Sequence, residues 1–200
     1  MFFSTFATLA LATVASCMPT AELEERAPVG YSYKDAVLYH HNLHRANHSS
    51  PALVWDTNLE TIARDTAKTC QYKHNTTAGG GGYGQNIAAG IPYTNIGYVI
   101  SDLFYNSEVN NYKQYGQQKT DFTSFGSWGH FSQIVWKSTG RIGCATIGCP
   151  NGLANVGSNV PPWFTVCNYA GPGNYANDGQ FAVNVLKPKG NPTIHANAGQ

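Results

Sequence analysis

The stretch Gly-His-Phe-Ser-Gln-Ile-Val-Trp-Lys-Ser, at residues 129–138, is the most informative part of this chain. It combines histidine, glutamine, two large aromatic residues and two β-branched residues in one dense run. A run that combines so many different residue types at fixed spacing is a specific sequence motif. The patterns on either side of this run indicate the architecture that it belongs to.

Helical patterns precede the run. Residues 32–48 contain no glycine or proline, and their apolar and aromatic positions recur at helical spacing. The Ser-Ser-Pro sequence at residues 49–51 ends this helix because proline cannot continue it. Asp56 is a suitable N-cap for a second helix over residues 59–70, and a third helix fits residues 94–110.

Strand patterns follow the run. Residues 141–148 and 163–169 are predicted strands, and residues 182–186 are a candidate last strand. The glycine-rich residues 79–82 must form a loop. Helices followed by strands indicate an α+β sandwich.

The N-terminus indicates secretion. Residues 1–17 have the short apolar run and small-residue end of a signal peptide, and residues 18–26 resemble a propeptide. The remainder holds 11 Lys and Arg against 8 Asp and Glu, a formal charge of +3. This charge is too weak and too scattered for nucleic-acid binding. No other stretch reaches the length of a transmembrane helix, so we expect an extracellular protein.

The cysteines and sequons agree with secretion. Of five cysteines, Cys17 falls in the signal peptide, which leaves Cys70, Cys144, Cys149 and Cys167. An even set in an oxidising compartment favours two disulfides over a zinc site, because a second closely spaced pair is missing. Two N-x-S/T sequences predict glycosylation at Asn47 and Asn75.

Two other motifs in the chain resemble known binding patterns. Three glycines between residues 79 and 84 match G-x-G-x-x-G, but no buried strand precedes them, so the dinucleotide interpretation fails. His40, His44 and His48 share one face of the first predicted helix. A solvated or half-buried polar face is favoured over a metal-binding stripe.

The run at 129–138 closely resembles the H-[FY]-[TS]-Q-x-x-W block of the CAP superfamily, which includes cysteine-rich secretory, antigen 5 and pathogenesis-related class 1 proteins. Residues 167–175 are similar to that family's C-N-Y-x-P-x-G-N-[WYF] block, with Gly171 in place of proline. Residues 41–45 match its H-N-x-x-R, and residues 53–59 match its L-x-W-D-x-x-L. The blocks occur in the family's order.

This resemblance implies a CAP domain over residues 30–186, built as a three-layer α-β-α sandwich with a small antiparallel sheet. It also implies the pairing of the cysteines, Cys70 with Cys144 and Cys149 with Cys167. Residues 187–200 are expected to be a disordered tail.

The resemblance further implies a cleft that contains two histidines and two carboxylates. His74, Glu108 and His130 match three of these positions, while Gln85 replaces the fourth, a glutamate. Two imidazoles and one carboxylate could weakly bind zinc or magnesium. A hydrogen-bonded polar network is the equally open alternative.

The resemblance implies a secreted, monomeric lipid-binding protein for a sterol or a fatty acid, not an enzyme. A metal-dependent hydrolase using the cleft and a protein-interaction module at a cell surface are the alternatives. The implied sterol contact is the loop at residues 111–128, which is rich in aromatic residues, and the implied fatty-acid site is a groove between helices. Within the loop, Tyr115, Phe122 and Phe125 are the predicted lipid-binding residues.

Overall fold

A computed structural model describes residues 31–191 and 193–196 of the chain. The predicted signal peptide at residues 1–17 and the predicted propeptide at residues 18–26 lie outside the described residues. None of the helices in the described part is long and apolar enough to cross a membrane.

The first two helices begin at capping side chains, of which the sequence predicted the second, Asp56. Helix α1 spans Tyr33–Asn47, and the Ser32 hydroxyl accepts a hydrogen bond from the Asp35 amide. Helix α2 spans Thr57–Lys68, and the Asp56 carboxylate accepts bonds from two amides of its first turn. Both residues satisfy amides that lack partners within the helix. The two predicted helices are therefore confirmed, with ends shifted by one or two residues.

The third predicted helix is confirmed as one helical segment, which we call α3, at residues 93–109. Its central part, Val99–Asn106, is a π-helix, a wider form often found at functional sites. Two shorter helices follow, α4 over Gly129–Val135 and α5 over Gln180–Asn184. The shorter segments of α3 are a 3₁₀ turn at Tyr93–Asn95 and α-helical turns at Ile96–Tyr98 and Ser107–Val109.

Four strands form one sheet in the order β1-β3-β4-β2. Strands β2, β3 and β4 pair antiparallel, whereas the short β1 pairs parallel with β3, so the expected antiparallel sheet is in fact mixed. The predicted strands at 141–148 and 163–169 are confirmed, and β2 was not predicted. The strands are β1 (Val54–Trp55), β2 (Gly84–Ala89), β3 (Arg141–Gly148) and β4 (Trp163–Ala170).

The sheet lies between two helical layers, as expected for an α-β-α sandwich. Helix α2 covers one face, and α1, α3 and α4 cover the other. Successive side chains of β3 alternate between these layers: Cys144 packs with α1 and α3, and Ala145 packs with α2. At Gly143 a Cβ atom would lie 2.1 Å from the Glu60 amide nitrogen, so only glycine allows α2 to approach this closely.

The two expected disulfides are present, but the expected pairing is wrong. Cys144 pairs with Cys167, which lies directly opposite it across β3 and β4. Cys70, just after α2, pairs with Cys149 at the end of β3. The strand pleat explains the difference, because the Cys144 side chain points away from the face that α2 covers.

One other expectation fails in the C-terminal part. The candidate strand at 182–186 overlaps α5, where Phe181 and Val185 are buried four residues apart and Val183 is exposed. Burial at this spacing is helical rather than alternating. The expected disordered tail has no helix or strand in residues 187–191 and 193–196, yet it is hydrogen-bonded to α1 and α3.

Candidate functional site

The predicted cleft histidine at the start of α4 is paired with a carboxylate. His130 Nδ1 lies 2.6 Å from Glu108 Oε1, and the Phe131 amide donates to Glu108 Oε2 at 2.9 Å. The Phe104 ring stacks on the imidazole with centroids 4.7 Å apart. Glu108 and His130 also line a cavity of about 460 Å³. The sequence patterns did not indicate Phe104 or the Phe131 amide as parts of this site.

The second predicted histidine contacts the residue that departs from the family pattern. Gln85 Oε1 lies 3.1 Å from His74 Nδ1 and accepts a bond from the Asn75 amide at 2.9 Å. Gln85 Nε2 donates to the carbonyl oxygen of Asn75 and to Asn168 Oδ1. Gln85 therefore ties the loop that carries His74 to the sheet. Burial lowers the pKa of His74, and its contact with Gln85 partly opposes this shift.

The cleft residues do not form a ready metal site. In the described part of the chain, no three His, Cys, Asp or Glu side chains are grouped to hold one metal ion. His74 and His130 instead have hydrogen-bonding partners of their own, Gln85 and Glu108. These contacts form two separate hydrogen-bonded pairs, and metal binding stays a prediction.

We predict that Gln85→Glu tightens zinc binding by about tenfold, because it adds a carboxylate beside His74. The same change replaces the donor Gln85 Nε2 with a carboxylate oxygen, which faces the acceptor oxygens of Asn75 and Asn168. The metal-free variant should therefore lose about 1–3 kcal/mol of stability. Calorimetric zinc titration and urea unfolding would measure the two effects. Gln117→Glu, on an exposed loop, controls for charge alone, and unchanged zinc affinity in Gln85→Glu would contradict the prediction.

The aromatic loop is only partly a surface feature. Trp128 and Tyr112 are buried in the core, and Tyr115 is half-buried between Tyr112 and His48. Phe122 and Phe125 are 36% and 37% exposed, with ring centroids 5.9 Å apart. The structure thus brings two of the three predicted lipid-binding residues together, while Tyr115 contacts a different group of rings.

A larger cavity lies between two helices. It has a volume of about 620 Å³, and we call it the helix groove. Its walls include Leu43 and Ala46 of α1, Tyr105 and Val109 of α3, and residues after α5. Such a groove was expected only from the family resemblance, because its walls come from segments about 60 to 150 residues apart in sequence.

The histidine row of α1 is fully buried, not solvated or half-buried as expected. His40 Nδ1 and His44 Nε2 each lie 2.8 Å from the hydroxyl of Ser101, and His48 contacts the Tyr105 hydroxyl. Burial lowers the pKa of His40 to about 4 and that of His44 well below its ordinary value. Helix α3 covers this face, and because its partners come from α3, the pattern of α1 alone could not reveal it.

The two predicted glycosylation sites differ in their surroundings. Asn75 lies in a surface loop, where its side chain accepts bonds from Thr77 and Ala78. The half-buried Asn47 donates from Nδ2 to the Tyr105 hydroxyl, and its Oδ1 accepts bonds from main-chain amides after α5. Glycosylation of either residue remains a prediction.

Comparison with known proteins agrees with the fold and with the sequence blocks. A profile of the "CAP: Cysteine-rich secretory protein family" matches residues 38–169. A "Probable pathogenesis-related protein" of Arthroderma benhamiae is 45% identical over 166 residues, or 82% of this chain and 52% of that protein. This chain therefore spans about half the length of that relative.

Two further matches support the same assignment. "Fruiting body protein SC7" of Schizophyllum commune is 35% identical over 170 residues, or 82% of this chain and 76% of that protein. The crystal structure described as "NaASP2 with Zn2+" shares the fold with a TM-score of 0.61 at 20% identity, covering 80% of this chain and 89% of that one. The chain belongs to the CAP family of cysteine-rich secretory proteins.

Proposed function

We propose that this chain is an extracellular lipid-binding protein of the pathogenesis-related class 1 type, which binds a sterol or a fatty acid and performs no covalent chemistry. The observation that carries the proposal is the helix groove. Its volume of about 620 Å³ falls within the range of about 300–1,000 Å³ typical of small-molecule sites. Its walls combine aliphatic side chains with a few amides, which suits an amphiphile with an apolar body and one polar end.

The exposed rings of the aromatic loop support a second contact, to a sterol. Phe122 and Phe125 both pack against Trp128, and Phe122 also packs against Phe181, so buried aromatic residues support the two exposed rings. Exposed apolar patches of this kind often mark binding surfaces. A flat, rigid ligand can cover both rings without disturbing the core beneath them.

The cleft offers less support for hydrolysis. The hydroxyl closest in sequence to His130 belongs to Ser132, which is buried and donates to Asn174 Oδ1 at 2.7 Å. A nucleophile must reach its substrate, and this hydroxyl faces the protein interior. The contacts of Glu108 with His130 and with the Phe131 amide join α3 to α4.

We predict that replacing Phe122 and Phe125 with serine lowers sterol affinity at least tenfold, since two exposed rings lose their apolar contact with the ligand. A binding assay with radiolabelled sterol would measure the effect, after circular dichroism confirms the fold. Adding Tyr115→Ser completes the predicted set and tests whether this half-buried ring also contributes.

Tyr93→Ser is the matched control, because Tyr93 is an exposed aromatic residue that lines a different cavity. It should bind sterol like the wild type. A folded triple variant with wild-type sterol affinity would remove the loop from the proposal and leave the helix groove as the lipid site.

A further inference from the structure

Several of the described residues that follow α5 line the helix groove. We call the described residues 187–191 and 193–196 the C-terminal strap. The strap lines the cavity together with residues of α1 and α3. The strap residues that line it are Pro188, Gly190, Asn191, Thr193, Ile194 and His195.

One end of the strap is fastened to the last residue of α1. The Lys189 amide donates to the main-chain oxygen of Asn47 at 2.8 Å and to Asn47 Oδ1 at 3.1 Å. The Asn191 amide donates to the same Oδ1 at 3.2 Å. A single asparagine side chain therefore holds two strap amides, and this explains why its own amide group points toward Tyr105.

The other end is fastened to the π-helical part of α3. Asp102 Oδ1 lies 2.5 Å from His195 Nδ1, and Asp102 Oδ2 accepts from the Ala196 amide at 3.0 Å. Asn106 Nδ2 donates to the carbonyl oxygen of Ile194 at 2.9 Å. Two polar side chains one helical turn apart thus bind three consecutive strap residues.

Between these anchors the strap buries little apolar surface. Residues 187–191, Thr193 and His195 are exposed, while Ile194 is half-buried over the groove. A segment held mainly by solvent-accessible hydrogen bonds opens locally at a much lower free energy than the core. The strap is closed in the structure, and its release requires little free energy.

We propose that the C-terminal strap is a gate over the helix groove, and that a single-chain lipid such as a long-chain fatty acid enters only when the strap leaves its anchors on α1 and α3. This inference rests on the proposed lipid-binding function and adds a regulatory element to that site. The closed strap reduces the fraction of molecules competent to bind, and the apparent affinity and association rate fall by that fraction.

Variants at each anchor of the full-length chain test the gate. Asp102→Ala combined with Asn106→Ala releases the α3 end, and Asn47→Ala independently releases the α1 end. We expect each to raise the association rate of a fluorescent long-chain fatty acid about tenfold in stopped-flow measurements. Hydrogen exchange at the strap amides should become faster in the same variants, which reports release without any ligand.

Two controls separate the gate from side effects. Asn58→Ala combined with Asp65→Ala changes the same residue types on α2, far from the strap. Ser49→Ala removes the predicted glycosylation sequence but leaves the Asn47 side chain in place. Both should associate with the fatty acid at the wild-type rate and keep the wild-type amide exchange.

The outcomes distinguish the two proposals. Anchor variants that fold and bind the fatty acid at the wild-type rate would overturn the gate and leave lipid binding standing. If neither the wild type nor the anchor variants bind the fatty acid, the assignment of the groove to lipid fails, and the gate fails with it. Faster association in both anchor variants, with unchanged controls, supports the gate.

Discussion

Replacing Arg45 with methionine is expected to cost more than about 4 kcal/mol of folding stability, the largest effect of any single substitution considered for this chain. Arg45 has no exposed surface although it carries a charge. Its guanidinium donates four hydrogen bonds of 2.7–2.8 Å, all to main-chain carbonyl oxygens. The acceptors are the carbonyl groups of Pro51, Ile134, Trp136 and Thr139.

These carbonyl groups belong to the segment after α1, to the end of α4 and to the turn before β3. Arg45 thus joins three parts of the fold that hydrophobic packing alone would align less tightly. Burial lowers the pKa of Arg45 to about 10, so the group remains charged at neutral pH. Methionine fills a similar volume but leaves the carbonyls without donors, each at a cost of about 1–3 kcal/mol.

Urea unfolding at neutral pH would measure the loss. Arg45→Lys should be intermediate, because its ammonium group keeps the charge but cannot reach the four acceptors with the planar geometry of arginine. Arg64→Met is the control, since Arg64 forms an exposed pair with Glu60 of the same helix and should change stability by less than about 1 kcal/mol. A loss below about 1 kcal/mol in Arg45→Met would contradict the assigned role.

Acidification from about pH 6.5 to about pH 4.5 is expected to lower the free energy of unfolding by at least about 5 kcal/mol, because each differentially bound proton contributes about 1.4 kcal/mol per pH unit and two buried histidines alone supply that amount. The cause is the row of buried histidines on α1. Burial lowers the pKa of His40 to about 4 and that of the adjacent His41 to about 3. It also lowers the pKa of His44 and, at the end of the helix, that of His48.

The direction follows from proton uptake. In the unfolded chain these imidazoles gain protons as the pH falls through about 6.5, whereas in the folded protein His40 and His41 stay neutral to about pH 4 or below, and burial also lowers the pKa of His44 and His48. The unfolded state therefore binds more protons in this interval, and the free energy of unfolding decreases as the pH is lowered. The hydrogen bonds agree, because the Ser101 hydroxyl can donate to only one of its two imidazole partners and must accept from the other.

His44→Phe should remove one histidine whose protonation is linked to unfolding, and it keeps a ring that can stack on Tyr105. The slope of stability against pH between about 4.5 and 6.5 should decrease by about 1.4 kcal/mol per pH unit. Val166→Ala, a core change without a titrating group, should lower stability equally at each pH and leave the slope unchanged. Equal slopes for the wild type and His44→Phe would contradict the mechanism.

The local patterns of the sequence predicted most of the regular structure. The spacing of residues in α1, the cap at Asp56 and the β-branched residues of β3 each act within a few neighbouring positions, and these elements occur where expected. The prediction of a last strand was wrong. It rested on the apolar residues Val183 and Val185 at alternate positions, whereas Phe181 is buried through its contacts with Trp128 and Trp136. Alternation within a short apolar segment does not distinguish a helix from a strand.

The sequence by itself determined the family, the sandwich of helices and sheet, and the number of disulfides, because motif order, residue periodicity and cysteine count are properties of the linear chain. Only the tertiary structure decided which cysteines pair, which loop rings are exposed, and how Gln85 and the strap are held. Strand register set Cys144 opposite Cys167, and α3 turned the histidine row of α1 into a buried network. These features depend on contacts between segments far apart in sequence, which local patterns do not encode.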